Sequence, residues 1–141
     1  MNPSSVVEQI KQGGTQLISE QELLQKLAED RPLRVKLGVD PTAPDLHLGH
    51  SVALAKMRQF QDFGHQGVLI IGDFTSMVGD PTGRSTTRPV LTSEQVAANA
   101  ETYRSQAFKI LDPDRTETVW NADWLGKLTY IDVIRLNSRE T

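Results

Sequence analysis

The chain has 141 residues, a formal net charge of −3 and 38% hydrophobic residues. That length and balance suit one globular domain with a real core, and exclude a disordered chain or a surface that is basic throughout. No apolar run is long enough to span a membrane, no secretory signal opens the chain at Met1-Asn2-Pro3-Ser4-Ser5, and zero cysteines exclude disulfides and fit a cytoplasmic protein.

Short helices come first. Ser5 to Gln12 predicts one, stopped by Gly13-Gly14. Ser19-Glu20-Gln21-Glu22 reads as a capping box, with Ile18 and Leu23 as its hydrophobic staple, opening a helix that runs to about Glu29 and ends before Pro32. Leu23, Leu24 and Leu27 form its apolar face. Leu33 to Val39 then alternates Leu33, Val35, Leu37 and Val39 against Arg34 and Lys36, which predicts a strand with one core face and one wet face. Asp40-Pro41-Thr42-Ala43-Pro44 breaks regular structure. A helix follows from about Leu48 to Phe63, with Ala53, Met57 and Phe60 as its buried stripe and Gly64 as its stop.

Val68-Leu69-Ile70-Ile71 is a short continuous apolar run, as expected of a strand buried on both faces. Gly72 to Pro89, rich in glycine and proline, reads as a loop. Thr92 to Gln95 is a second capping box, with Leu91 and Val96 as staple. Its helix carries Val96, Ala100, Tyr103, Ala107 and Ile110 at helical spacing and stops at Asp112-Pro113. Thr116 to Trp120 predicts a third strand, and Thr129 with Asp132 caps a last helix. Strands alternating with amphipathic helices imply a parallel α/β sheet with right-handed crossovers. The expected division is a helical segment at residues 1–32, followed at 33–141 by the first part of a nucleotide-binding domain.

Ligands in such folds sit beyond the carboxyl ends of the strands, and two punctuated strings start there. The first is Gly38-Val39-Asp40-Pro41-Thr42, continuing to His47-Leu48-Gly49-His50. Gly49 strips the first turn of a helix of its side chain, and a helix N-terminus offers amides and partial positive charge to an anion. His47 and His50, three apart, share a face and can each donate to a phosphoryl oxygen. A His-x-x-His metal pair and a chance pair of capping histidines are the competing readings. With no cysteine and only His65 besides, no metal site is assigned. The glycine-rich dinucleotide fingerprint and the phosphate loop ending in Gly-Lys-Ser/Thr are both absent.

The first string resembles the "HIGH" signature of class I aminoacyl-tRNA synthetases. Together with Gly79-Asp80-Pro81-Thr82-Gly83 after the next strand, it resembles the bacterial tyrosyl-tRNA synthetases, over about Leu33 to Trp124. The resemblance implies a Rossmann-like (HUP-type) domain, here its amino-terminal part. It also implies an enzyme that activates L-tyrosine with ATP and Mg2+ to tyrosyl-adenylate and passes it to tRNA(Tyr), working as a cytoplasmic homodimer with no membrane attachment. Carried over by residue, His47 and Thr42 contact the departing phosphates, and His50 and Gly49 lie by the ribose and adenine. Asp40 and Gly38 frame the ATP pocket, and Arg84 and Arg88 hold pyrophosphate. Asp80 meets the tyrosine ammonium, while Thr75 and Asn121 line the tyrosine site.

Two features depart from that pattern. Lys36 stands where many members carry a tyrosine that touches the substrate phenol, and Leu37 where they carry a cysteine. The family also continues for several hundred residues, with the rest of the tyrosine pocket, a Lys-Met-Ser-Lys-Ser-like loop and a tRNA-binding module. The chain therefore reads as a portion of such an enzyme, with little or no activity expected of it alone. The alternatives are a portion of tryptophanyl-tRNA synthetase or a catalytically silent binding module derived from the same fold.

Overall fold

The computed structural model describes residues 2–78 and 91–139. Three parallel strands, β1 (Arg34–Val39), β2 (Gln66–Ile71) and β3 (Thr116–Trp120), form a sheet in the order β1-β2-β3. Among the described residues, seven α-helices accompany them: α1 (Pro3–Lys11), α2 (Glu20–Ala28), α3 (Leu48–Asp62), α4 (Asp73–Val78), α5 (Ser93–Ala107), α6 (Ala122–Leu125) and α7 (Tyr130–Asn137).

Because strand order steps the same way twice, right-handed crossovers bring α3 and α5 to one face of the sheet. The register agrees. Val35, Leu37 and Val39 of β1 lie beside Gly67, Leu69 and Ile71 of β2, and the core gathers Leu54 and Met57 of α3, Leu69 and Ile71 of β2, and Ala100 and Ala107 of α5. The opposite face carries Arg34, Lys36 and Gly38 of β1, Val68 and Ile70 of β2, and Glu117 and Val119 of β3. Arg34 reaches across β2 to ion-pair with Glu117, and Val68 between them is buried.

The predicted boundaries hold closely for β1, β2, β3, α3 and α7. The Thr92–Gln95 and Thr129–Asp132 boxes are both reciprocal. Four expectations are corrected. Ile18 is 82% exposed and staples nothing, although Ser19 does cap α2 by accepting from the Glu22 amide at 3.1 Å. In α3 the fully buried stripe is Leu54, Met57 and Gln61, while Ala53 is exposed. Gly72 opens into α4 rather than a continuous loop. Finally, α5 ends at Ala107, five residues before Asp112.

Gln61 explains the shifted stripe. Its amide nitrogen donates to the carbonyls of Asp112 (3.2 Å) and Arg115 (2.9 Å) and to the Thr116 hydroxyl (2.9 Å), and its oxygen accepts from the Asp112 amide (2.9 Å). One polar side chain thus satisfies the turn leading into β3, as burial requires. Gly67 is part of this fit: a Cβ there would press on Met57 and on the Gln61 amide. Earlier in α3, Lys56 donates to the carbonyls of Ile10 and Gln12 at 2.8 Å each, capping the C-terminus of α1.

Candidate active site

The carboxyl ends of all three strands converge on one polar network. Asp40 follows β1, Gly72 and Thr75 follow β2, and Asn121 follows β3. The Thr75 hydroxyl donates to Asp40 Oδ1 at 2.8 Å and accepts from the Asn121 amide nitrogen at 2.9 Å. Asn121 is buried, and its oxygen accepts from the Phe74 amide at 2.9 Å. Asp73 fastens the same corner by accepting from the Ala122 amide at 3.0 Å. Gly72 is dictated by this crowding, since a Cβ there would overlap the Asp40 carboxylate and the Thr75 hydroxyl.

Beyond Asp40 the chain turns tightly, with the Thr42 amide donating to the Asp40 carbonyl at 2.8 Å, and reaches α3 through residues 43–47. His47 is the N-cap, and its Nδ1 accepts from the Gly49 amide at 3.0 Å. His50, in the first turn, accepts from the His47 amide through its own Nδ1 at 3.2 Å. The two histidines therefore build the reciprocal cap that Ser and Glu usually build. An imidazole accepting at Nδ1 is held in the tautomer with hydrogen on Nε2, so each keeps a ring donor beyond its capping bond. The rings stand 4.0 Å apart between centroids. Burial, and then the neighbouring His47, hold the His50 pKa below its ordinary value, which favours this neutral form.

Gly49 gains a second reason for being glycine: a Cβ would lie 2.8 Å from the His47 ring, so the cap itself needs the space. At Gly38 the reverse holds. A Cβ would meet no atom of the described residues within 4 Å, so none of these residues demands glycine there.

The structure brings together Asp40, Thr75 and Asn121, and separately His47, Gly49 and His50, with the exposed Thr42 on the loop between them. Lys36 and Gly38 lie exposed on the face away from α3. Asp80, Arg84 and Arg88 fall outside the described residues. Among those described, no group of three or more His, Asp or Glu side chains could hold a metal. Sequence reasoning missed the residues beneath the loop. Asn99, Tyr103 and Gln106 of α5 all face residues 41–46, and Tyr103 was expected only as core.

A parallel sheet whose strand ends feed a helix capped by two imidazoles defines an α/β domain with a polar site beyond its strand ends. Over residues 28–139 the chain matches the family model for class I tRNA synthetases (W and Y), and it belongs to that family. Its relatives are tyrosine–tRNA ligases. The Thermotoga maritima enzyme is 57% identical over 141 residues, covering all of this chain and 35% of that one. A Vibrio cholerae tyrosine–tRNA ligase is 60% identical over 133 residues, covering 94% of this chain and 34% of that one. The chain thus spans about a third of the length of the relatives it matches. Tyrosyl-tRNA synthetase from Archaeoglobus fulgidus, solved with L-tyrosine, shares the fold at TM-score 0.77 and 20% identity, over 98% of this chain and 40% of that one. A tryptophanyl-tRNA synthetase from Encephalitozoon cuniculi does so at 0.60 and 21%, over 74% and 29%.

Proposed function

We propose that this chain forms the ATP- and tyrosine-binding portion of a tyrosine–tRNA ligase. In that reaction an oxygen of the tyrosine carboxylate bonds to the α-phosphorus of ATP, the bond to the β-phosphate oxygen breaks, and pyrophosphate leaves. A ribose hydroxyl at the 3′ end of tRNA(Tyr) then bonds to the tyrosyl carbonyl carbon, the acyl–phosphate bond breaks, and AMP leaves. The carboxylate is ionised at neutral pH and needs no general base, so the protein's task is to position the reactants and stabilise charge as it develops.

The observation that carries this reading is the pair of capping histidines. Each Nδ1 is used by the backbone of α3, so each Nε2 hydrogen is aimed by the fold rather than by a flexible side chain. Two fixed donors at a helix N-terminus suit phosphates. His47 and Thr42 act on the departing pyrophosphate, while His50 and Gly49 border the ribose and adenine. Gly38 and Asp40 frame the pocket, and Arg84 and Arg88 add charge for the phosphates. Thr75, Asn121, Asp80 and Lys36 serve the tyrosine side, Asp80 through a charge-assisted bond to the ammonium. Magnesium arrives with ATP on its phosphates. The whole ligase acts in this reading as a cytoplasmic homodimer.

Titration of this chain with magnesium-ATP, with and without tyrosine, tests the binding, and tyrosine-dependent ATP–pyrophosphate exchange tests the chemistry. Binding should weaken at least tenfold in the His47→Ala/His50→Ala double variant, from the loss of about 1.4 kcal/mol or more. Equal affinity in the two proteins, or tighter binding with tryptophan than with tyrosine, would overturn the assignment.

A further inference from the structure

Residues 41–46 connect the strand-end network to the histidine cap, yet among the described residues they have few hydrogen bonds of their own. Among the described residues, the tight turn at Thr42 is their one backbone bond outside regular structure, and Pro41 and Pro44 lack amide hydrogens. Among the described residues, the other hydrogen bonds recorded for this loop go to one face of α5. The Asn99 amide nitrogen donates to the Pro41 carbonyl at 3.1 Å. The Gln106 oxygen accepts from the Leu46 amide at 2.8 Å, and its nitrogen donates to Asp45 Oδ1 at 2.6 Å.

Between these two lies Tyr103, 2% exposed, with its ring edge-on to His50 at 5.9 Å between centroids. Burial raises the Tyr103 pKa, a hydrogen bond with the Ala43 backbone opposes the rise, and the Asp45 charge adds to it. The hydroxyl therefore faces the middle of the same loop. Spacing of four and then three residues puts all three side chains on one helix face.

We propose that Asn99, Tyr103 and Gln106 are positioning residues. They fix residues 41–46 in the conformation that seats His47 as the N-cap of α3 and sets the ring of His50. The inference rests on the proposed ATP site for its functional consequence, but not for its structural one. Without the three props, a loop carrying two prolines and no ladder partners among the described residues samples other conformations, and both imidazoles lose their fixed aim. Gln106 is the most telling, because its side chain holds the residue immediately before His47.

The test compares this chain with its Gln106→Ala, Gln106→Glu and Tyr103→Phe variants by NMR. It reads amide exchange at Leu46 and Gly49, ring nitrogen shifts of His47 and His50, and magnesium-ATP affinity from the same ring signals. Removing the Gln106 bonds should speed exchange at both amides and weaken ATP about tenfold, the effect of losing roughly one good hydrogen bond. Glutamate keeps the acceptor for Leu46 and should restore Leu46 protection, while its charge repels Asp45. Tyr103→Phe keeps the packing and should change the His50 ring signal with little change in melting temperature.

A purely structural role would lower the melting temperature in Gln106→Ala and leave Gly49 exchange and the ring signals of the folded protein unchanged. That result overturns the proposal. If the parent chain shows no ATP binding, the proposed function fails. The exchange and ring signals still decide the positioning role.

Discussion

Gly72→Ala tests whether the strand ends are locked as tightly as the geometry requires. No positive φ is involved at Gly72, so alanine suffers no backbone strain and the whole effect is steric. The new methyl would occupy the space of the Asp40 carboxylate and crowd the Thr75 hydroxyl. Asp40 must swing away, breaking its 2.8 Å bond from Thr75. A hydrogen bond to a charged group contributes about 1.5–3 kcal/mol, and forced repacking costs roughly 1–3 more. Asp40 is exposed and regains water when displaced, so the lower half of the summed range applies, about 2.5–4 kcal/mol.

For a domain of this size the corresponding fall in melting temperature is on the order of 10 °C. Urea unfolding followed by circular dichroism gives the free energy directly, with an unchanged slope showing that the transition remains two-state. Gly38→Ala is the matched control: its methyl meets none of the described residues and should shift stability by less than about 0.5 kcal/mol, while still weakening ATP if a ligand lies against that strand. A Gly72→Ala protein melting within about 2 °C of the parent would refute the steric argument and the network drawn from it.

Three further outcomes follow from the same structure. Gln61→Met, close in volume, strips partners from the Asp112 amide and two carbonyls and should cost about 3–5 kcal/mol in urea unfolding, so a loss under about 1 kcal/mol would mean water replaces the side chain. Thr92→Ala should cost about 1 kcal/mol and Thr92→Gly only a few tenths, because glycine tolerates the cap position; equal losses would contradict the capping box. Burial holds the His65 pKa below the ordinary 6.5, as burial and His47 do for His50, so the unfolded chain binds more protons than the folded one below that value. Stability is then complete above pH 6.5 and falls as pH drops below it towards the depressed folded values. The urea midpoint should fall between about pH 7.5 and 5.5, and fall less in His65→Gln, which keeps an acceptor for the Leu33 amide; a midpoint that is flat over this range would exclude the effect.

Much of the frame was legible because local chemistry and global fold agree. Alternation from Leu33 to Val39 reported a strand with one core face and one wet face, and the boxes at Thr92 and Thr129 marked helix starts to the residue. What failed involves polar atoms with distant partners. Gln61 looks like solvent-facing surface in a periodicity count, and only the turn at Asp112–Thr116 makes it core. The Ala53 stripe was misplaced for that reason. Helix α4 is too short for a hydrophobic period, and it is held by Asn121 and by the Ser76 hydroxyl on the Gly72 carbonyl. The histidine string was legible as a site, but the tautomer it enforces was not, since that depends on which nitrogen each backbone amide meets. Asn99 and Gln106 gave no signal at all: polar residues on an amphipathic helix read as its wet side until a loop is seen lying on them.

The one-way winding of the sheet leaves β1 and β3 as its two margins among the described residues, and an open strand margin is a template for another chain. Here each margin bears charge where such pairing would begin: Arg34 and Lys36 alternate along β1, and Glu117 sits on β3. Arg34 and Glu117 also span the back of β2, so the ion pair that shields Val68 doubles as a guard against stacking. Neutralising Arg34 and Lys36 together should remove little folding energy, since exposed charges contribute little, and should leave the β1 margin adhesive.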